Sequence, residues 1–176
     1  MDGTVGTIPP EELCASAGGV EAVWLAAADA VTAVAGDAAS WTTITLREGC
    51  RFEPCAVAED GAGYVQRMQG AFSLWYIRHE LSWTLPVAGG RAAAVVERLR
   101  ELDGRGGIVA LLRLASGETV LAGWSADFGA GRPLRLVAAE ADSSTRQAED
   151  PVVRVTLRAN DVACSRPFTG RVDDLL

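Results

Sequence analysis

The stretch AFSLWYIRHELSWTL, Ala71 to Leu85, decides the fold. Its odd-numbered positions, Ala71, Ser73, Trp75, Ile77, His79, Leu81, Trp83 and Leu85, are largely apolar. The even-numbered ones begin apolar with Phe72, Leu74 and Tyr76, then turn polar at Arg78, Glu80, Ser82 and Thr84. A period of two is that of a β-strand, whose successive side chains point to opposite faces. One face is therefore expected to stay buried along the whole length, while the other emerges into solvent or an interface. A strand usually runs only about five or six residues, so this one is expected to bend or to protrude beyond its sheet.

Downstream, Pro86 ends the strand and Gly89-Gly90 leads into a helix over about Arg91 to Leu102. There Ala92, Val95, Val96, Leu99 and Leu102 form one apolar stripe opposite Arg91, Glu97, Arg98, Arg100 and Glu101. Gly104, Gly106 and Gly107 follow, the residues expected where a helix stops in a left-handed turn. Ile108–Leu114 and Thr119–Trp124 read as strands about a Ser116-Gly117 hairpin turn, and Leu134–Glu140 and Val152–Ala159 as two more, separated by a polar loop, Ala141–Asp150. Upstream, WTTITL (Trp41–Leu46) is a β-branched and aromatic strand, followed by an irregular or hairpin loop from Arg47 to Gly63. Val20–Ala35 fits a helical period, yet Val20–Leu25 also reads as a short buried strand with Ala26–Asp29 turning into a second; periodicity does not choose between them.

Strands, one helix, then strands is not the alternation that builds a parallel α/β sheet. The expected fold is mainly β (α+β): an antiparallel β-sandwich or open β-barrel with one flanking α-helix. Residues 1–19, rich in Gly, Pro, Thr and Ala, are read as a flexible N-terminal arm, 20–160 as a single domain, and 161–176 as a C-terminal tail that orders on contact. The only internal similarity, TITLR (Thr43–Arg47) against RVTLR (Arg154–Arg158), reflects two strands with like alternation.

Composition removes several classes of function. All 16 basic residues are arginine, so there is no Walker-A, Schiff-base or general-base lysine. The single histidine excludes multi-histidine metal centres. With 23 acidic residues the net charge is −7, which disfavours a sequence-independent grip on nucleic acid. Met1–Pro10 lacks the basic and apolar regions of a signal peptide, and no uncharged apolar run approaches the ~18 residues that span a bilayer, so no membrane role and a cytoplasmic product are expected. In 176 residues, Ala (30) and Gly (19) make up 49 positions, an unusual share that points to no reaction.

No motif supplies chemistry in its place. Cys14, Cys50, Cys55 and Cys164 lack the paired C-x2-C spacing of a zinc site and read as buried small hydrophobes or reduced surface thiols. His79 lies on the apolar side of the long strand between Ile77 and Leu81, where a histidine is a satisfied core or interface side chain, and no G-x-S-x-G elbow accompanies it. The acidic pairs Glu11-Glu12, Glu59-Asp60, Glu149-Asp150 and Asp173-Asp174 fall in loops or termini rather than in the apolar pocket that raises a catalytic acid's pKa. Gly104–Gly107 follows a helix instead of opening one, and Gln66 breaks the dinucleotide pattern begun by Gly61 and Gly63. No enzyme activity and no cofactor are expected. The six rings of Trp24, Trp41, Trp75, Tyr76, Trp83 and Trp124 read first as core packing and next as a subunit interface.

Three stretches carry a family likeness: Gly-Gly-Val-x-x-Val-Trp-Leu-Ala (Gly18–Ala26), His-Glu-Leu-x-x-Thr-Leu (His79–Leu85), and Val-Ala-Leu-Leu…Gly-x-x-x-Leu-x-Gly-Trp (Val109–Trp124). With the element order and a final strand running into Pro167-Phe168, the chain resembles the tail proteins, most of all the tail tube subunits, of phages and prophages of Bacteroidetes-type bacteria. Trp83 stands where a Phe is more usual. The resemblance implies a structural protein that assembles with copies of itself and with other tail proteins, in rings that stack into a tube, located in the virion tail and, during assembly, in the bacterial cytoplasm. A head–tail connector, a tail terminator, or a small β-type ligand- or peptide-binding module is the alternative. A protruding strand can complete a neighbour's sheet, head-to-tail contacts close into rings, and an acidic lumen lets DNA pass without sticking. The expected subunit interface is Trp75, Tyr76, Ile77, His79, Leu81 and Trp83.

Overall fold

The computed structural model describes residues 19–71, 74–87, 91–142 and 151–176. Most of the expected N-terminal arm, Cys14, the Gly89-Gly90 lead-in and most of the Ala141–Asp150 loop lie outside the described residues. Val20–Ala35 takes the strand reading: β1 (Val20–Ala27), a 3-10 turn (Ala28–Ala30) and β2 (Val31–Gly36). There follow β3 (Trp41–Leu46), β4 (Glu53–Cys55), β5 (Ala62–Ala71), β6 (Leu74–Pro86), α1 (Ala92–Gly104), β7 (Ile108–Leu114), β8 (Thr119–Ala122), β9 (Arg135–Asp142) and β10 (Val152–Asp161). The expected loop Arg47–Gly63 contains β4 and the start of β5, neither of which the sequence reading separated.

The strands form an antiparallel sandwich rather than a closed barrel. One sheet has the order β4-β1-β7-β8, the other β5-β6-β10-β9, and β2 and β3 make a separate hairpin. The first sheet is central because both of its faces are buried. Val23, Leu25 and Ala27 of β1 and Ile108, Ala110 and Leu112 of β7 meet Leu81, Trp83 and Leu85 of β6 and Val153, Val155 and Leu157 of β10 in one core. On the opposite face, Trp24, Ala26, Val109 and Leu111 pack with Val31, Trp41 and Ile44 of the hairpin in a second core.

Residues 161–176 are more than a tail, since Phe168, Val172 and Leu175 are buried members of that second core. Leu121 N donates to Arg166 O, Phe168 N to Thr119 O, and Trp41 N to Pro167 O, so this segment joins the β8 edge to β3. Helix α1 closes the flank of the first core with Leu99 and Leu102, and polar contacts hold its middle and its C-terminal end. Asp103 accepts from Leu136 N (3.1 Å) and pairs with Arg135 (2.9 Å), while Arg98 pairs with Glu53 of β4. The helix stops as expected, with Gly106 and Gly107 at φ 91° and 109°.

Gly123 marks a close crossing at which the backbone is also left-handed. It has φ 82°, and a Cβ there would lie 2.5 Å from Ile108 O and 3.0 Å from Leu134 N. Gly123→Ala should therefore destabilise the fold by about 2 kcal/mol or more, from left-handed strain together with a backbone clash. Chemical denaturation should show a lower midpoint with an unchanged slope.

Candidate functional site

β6 pairs with β5 from Ala71↔Leu74 to Ala62↔Trp83, but with β10 only from Ile77 to Pro86. Beyond Ile77 the β5–β6 pair therefore projects past the sheet, as the length of the stretch implied. The projecting part is apolar. Leu74, Met68 and Trp75 are 79%, 67% and 61% exposed, the largest values among the exposed large hydrophobic residues. Gly70 gives the indole its seat, because a Cβ there would approach Trp75 to 2.8 Å. Tyr76, half-buried, donates its hydroxyl to Gln69 Oε1 (3.0 Å) and stiffens the pair one step below the tip.

The expected interface residues divide sharply. Ile77, His79, Leu81 and Trp83 are buried within the chain, so they belong to the core and are not available to a neighbour. Trp75 lies on the same face but beyond the end of the opposing sheet, so the expectation of one continuously buried face fails there. Trp75 and Tyr76 remain at the surface, and Met68 and Leu74 join them.

Beneath the tip the only histidine fastens the chain. His79 Nε2 lies 3.0 Å from Ala163 O, which can only accept, so that nitrogen carries the proton. Nδ1 then accepts from the Tyr64 hydroxyl at 2.7 Å, which in turn lies 2.5 Å from Ser165 Oγ. Ser165 N donates to Gln66 Oε1 (2.7 Å), so residues 163–165 are bound to β5 and β6 by side chains alone. Burial lowers the His79 pKa, outweighing the Ala163 carbonyl and Asp161, which raise it. Ser165 Oγ also lies 3.3 Å from His79 Nδ1, but Tyr64 OH is the nearer partner of both and the imidazole is 3% exposed. This Ser–His pair is a clasp without substrate access.

On the outer face of the same sheet, arginines meet carboxylates: Arg158 pairs with Glu80 (2.6 Å) and Arg154 with Asp142 (2.8 Å). Arg67 and Arg78 break that pattern. They sit directly opposite one another in the β5–β6 register, and neither has a carboxylate partner among the described residues. Arg78 Nε is buried without a hydrogen-bond partner. Like charges facing across a strand pair destabilise it, and an unmet buried donor costs more.

A groove of about 560 Å³ lies at the other end of β6, between α1 and β4, lined by Leu85, Pro86, Val87, Ala94, Val95 and Leu99 among others. Cys55 is also in its wall, and burial, with Glu53 beside it, pushes the thiol up to about 12. A thiol so held is neither nucleophile nor metal ligand at neutral pH. Among the described residues no group of three or more His, Cys, Asp or Glu side chains could hold a metal ion, and no helix is long and apolar enough to cross a membrane. No protein-family model, curated protein or solved structure matches the chain.

The clasp gives a pH signature. A folded-state pKa below the ordinary ~6.5 means that the unfolded chain binds a proton which the folded chain refuses, so this contribution to stability is complete above about pH 6.5 and is lost as pH falls through 6.5 towards the folded value. His79→Gln should lower stability at pH 7.5 by about 1–3 kcal/mol, and its deficit relative to the parent should shrink towards pH 5.5. Denaturation curves of both proteins across that range check the sign.

Proposed function

We propose that the protein is a non-enzymatic structural subunit that assembles with copies of itself, in the manner its resemblance to phage and prophage tail tube subunits implies: rings stacked into a tube through which DNA passes. The observation that carries this reading is the β5–β6 overhang, where Met68, Leu74 and Trp75 are all more than half exposed on a paired, rigid backbone. Leaving these apolar side chains of a projecting strand pair in water is unfavourable, and exposed apolar surface of this kind marks protein–protein contacts. Tryptophan at the centre of a contact is the side chain most often responsible for its affinity.

The unpartnered Arg67–Arg78 step beside the tip supports the same reading, because an anion from outside the chain would relieve it. The two-core sandwich supplies what a repeated building block requires. The register of β6 is fixed by burial of Leu81, Trp83 and Leu85 in the first core, so the overhang is held in one orientation from copy to copy. The clasp at His79 fixes the base of the overhang to residues 163–165.

Light scattering on the purified protein should give a mass several times that of one chain, and negative-stain images should show rings or tubes. Leu74→Glu together with Trp75→Glu should raise the concentration needed for half-assembly at least tenfold while leaving the melting temperature of the subunit near that of the parent, since both side chains are exposed. A protein that stays monomeric at high concentration, with no rings or tubes, overturns the proposal.

A further inference from the structure

The two ends of β6 are complementary in shape and in charge. One end carries the protruding Leu74 and Trp75 with Met68, and beside them the unpaired cations Arg67 and Arg78. The other end opens into the apolar groove between α1 and β4, bounded by Leu85, Pro86 and Val87. The segment that forms the groove's β4 wall continues into the Glu59-Asp60 turn. That turn is bonded to the groove end of β6, with Ala58 N donating to Thr84 O and Thr84 N to Gly61 O (both 2.8 Å). Glu59 and Asp60 line one surface recess together with Glu21. All three carboxylates are exposed and none has a cationic partner among the described residues. Arg98, on the groove wall, is neutralised by Glu53 and Glu101, which leaves Arg91 as the rim cation without a carboxylate partner among the described residues. The molecule is thus polar along the strand: apolar knob and unpaired cations at one end, apolar groove and unpaired carboxylates at the other. At roughly 3.3 Å per residue the poles are about 40 Å apart, so no chain joins its own two ends.

We infer that the knob of one copy seats in the groove of the next, with Arg67 and Arg78 facing Glu21, Glu59 and Asp60 of that second copy. The contact joins two different patches of the same surface, so it is head-to-tail and repeats from copy to copy along the strand direction. The groove is large enough for an indole, and the carboxylates relieve the opposed arginines that the isolated chain leaves unmet. This inference rests on the self-assembly reading above and adds to it the two patches and a direction of growth.

The test is a charge exchange on the full chain, with circular dichroism and melting temperature confirming that each variant is folded. Arg67→Glu with Arg78→Glu reverses one pole, and Glu21→Arg with Glu59→Arg reverses the other. Each variant alone should need at least a tenfold higher concentration for end-to-end growth. An equimolar mixture should recover growth, because each reversed pole then meets an opposite charge on the other variant. Ala94→Trp, which fills the groove from the exposed side of α1, should block growth without any change of charge. Short rings or small oligomers that no longer lengthen would be the expected form of the variants. Unimpaired growth of the Glu21/Glu59 variant or of Ala94→Trp overturns the inference, because the tip then binds elsewhere. A mixture that stays short also overturns it. If the parent protein itself does not assemble, the self-assembly reading fails, and light scattering on the parent shows that separately.

Discussion

Everything in this molecule depends on a sheet that has no face to give to water. The β4-β1-β7-β8 sheet packs against the second sheet on one side and against the β2–β3 hairpin and residues 166–175 on the other. A strand buried on both faces carries an almost unbroken apolar run, and layers on both sides leave no room for bulk everywhere. Alanine supplies the thin positions: Ala26, Ala27, Ala28, Ala110 and Ala122 are all buried in or beside this sheet. The high alanine content, which pointed to no reaction, is in part the signature of a three-layer arrangement.

That arrangement also governs how much could be read from the sequence. Strands with one wetter face were legible: Trp41–Leu46 falls where its alternation puts it, and β10 extends the expected strand by two residues, to Asp161, while Ile108–Leu114, buried on both faces, is placed by the hairpin turn that follows it. β1 was ambiguous for a physical reason, because burial on both faces erases the period that separates strand from helix. β4 and β5 were missed for the opposite reason. Both are edge strands, where Pro54 is tolerated and where AGYVQRMQGA can be polar and glycine-flanked without loss.

The site was legible in part. The burial of His79 followed from its neighbours, but its partners Tyr64 and Ser165 did not, since they lie on a missed strand and on a segment taken for a tail. Of the residues expected at an interface, Ile77, His79, Leu81 and Trp83 are covered within the chain, and only Trp75 and Tyr76 stay at the surface. Only the point at which β10 stops, at Asp161 opposite Ile77, determines which aromatic side chains are covered, and no property of residues 71–85 encodes the length of a strand whose residues pair with β6 from 66 to 84 positions further along the chain. The unpaired arginines were equally invisible, because their opposition exists only in the β5–β6 register. Net charge hid them too: a chain at −7 can still present two uncompensated cations at one end and three carboxylates at the other.

The central sheet has a kinetic consequence as well. β1 pairs with β7 from Ala27↔Ile108 to Val20↔Leu114, and the core on its far side is completed only by Phe168, Val172 and Leu175. These are contacts of high sequence separation, whose loop-closure entropy is lost before their burial is gained, and such topologies fold slowly. During translation β1 is made long before β7, before the second sheet that covers one face and before the residues that complete the cover of the other, with only the β2–β3 hairpin following it closely. The hazard period of this protein is therefore its own synthesis, when its most buried strand is its most exposed one.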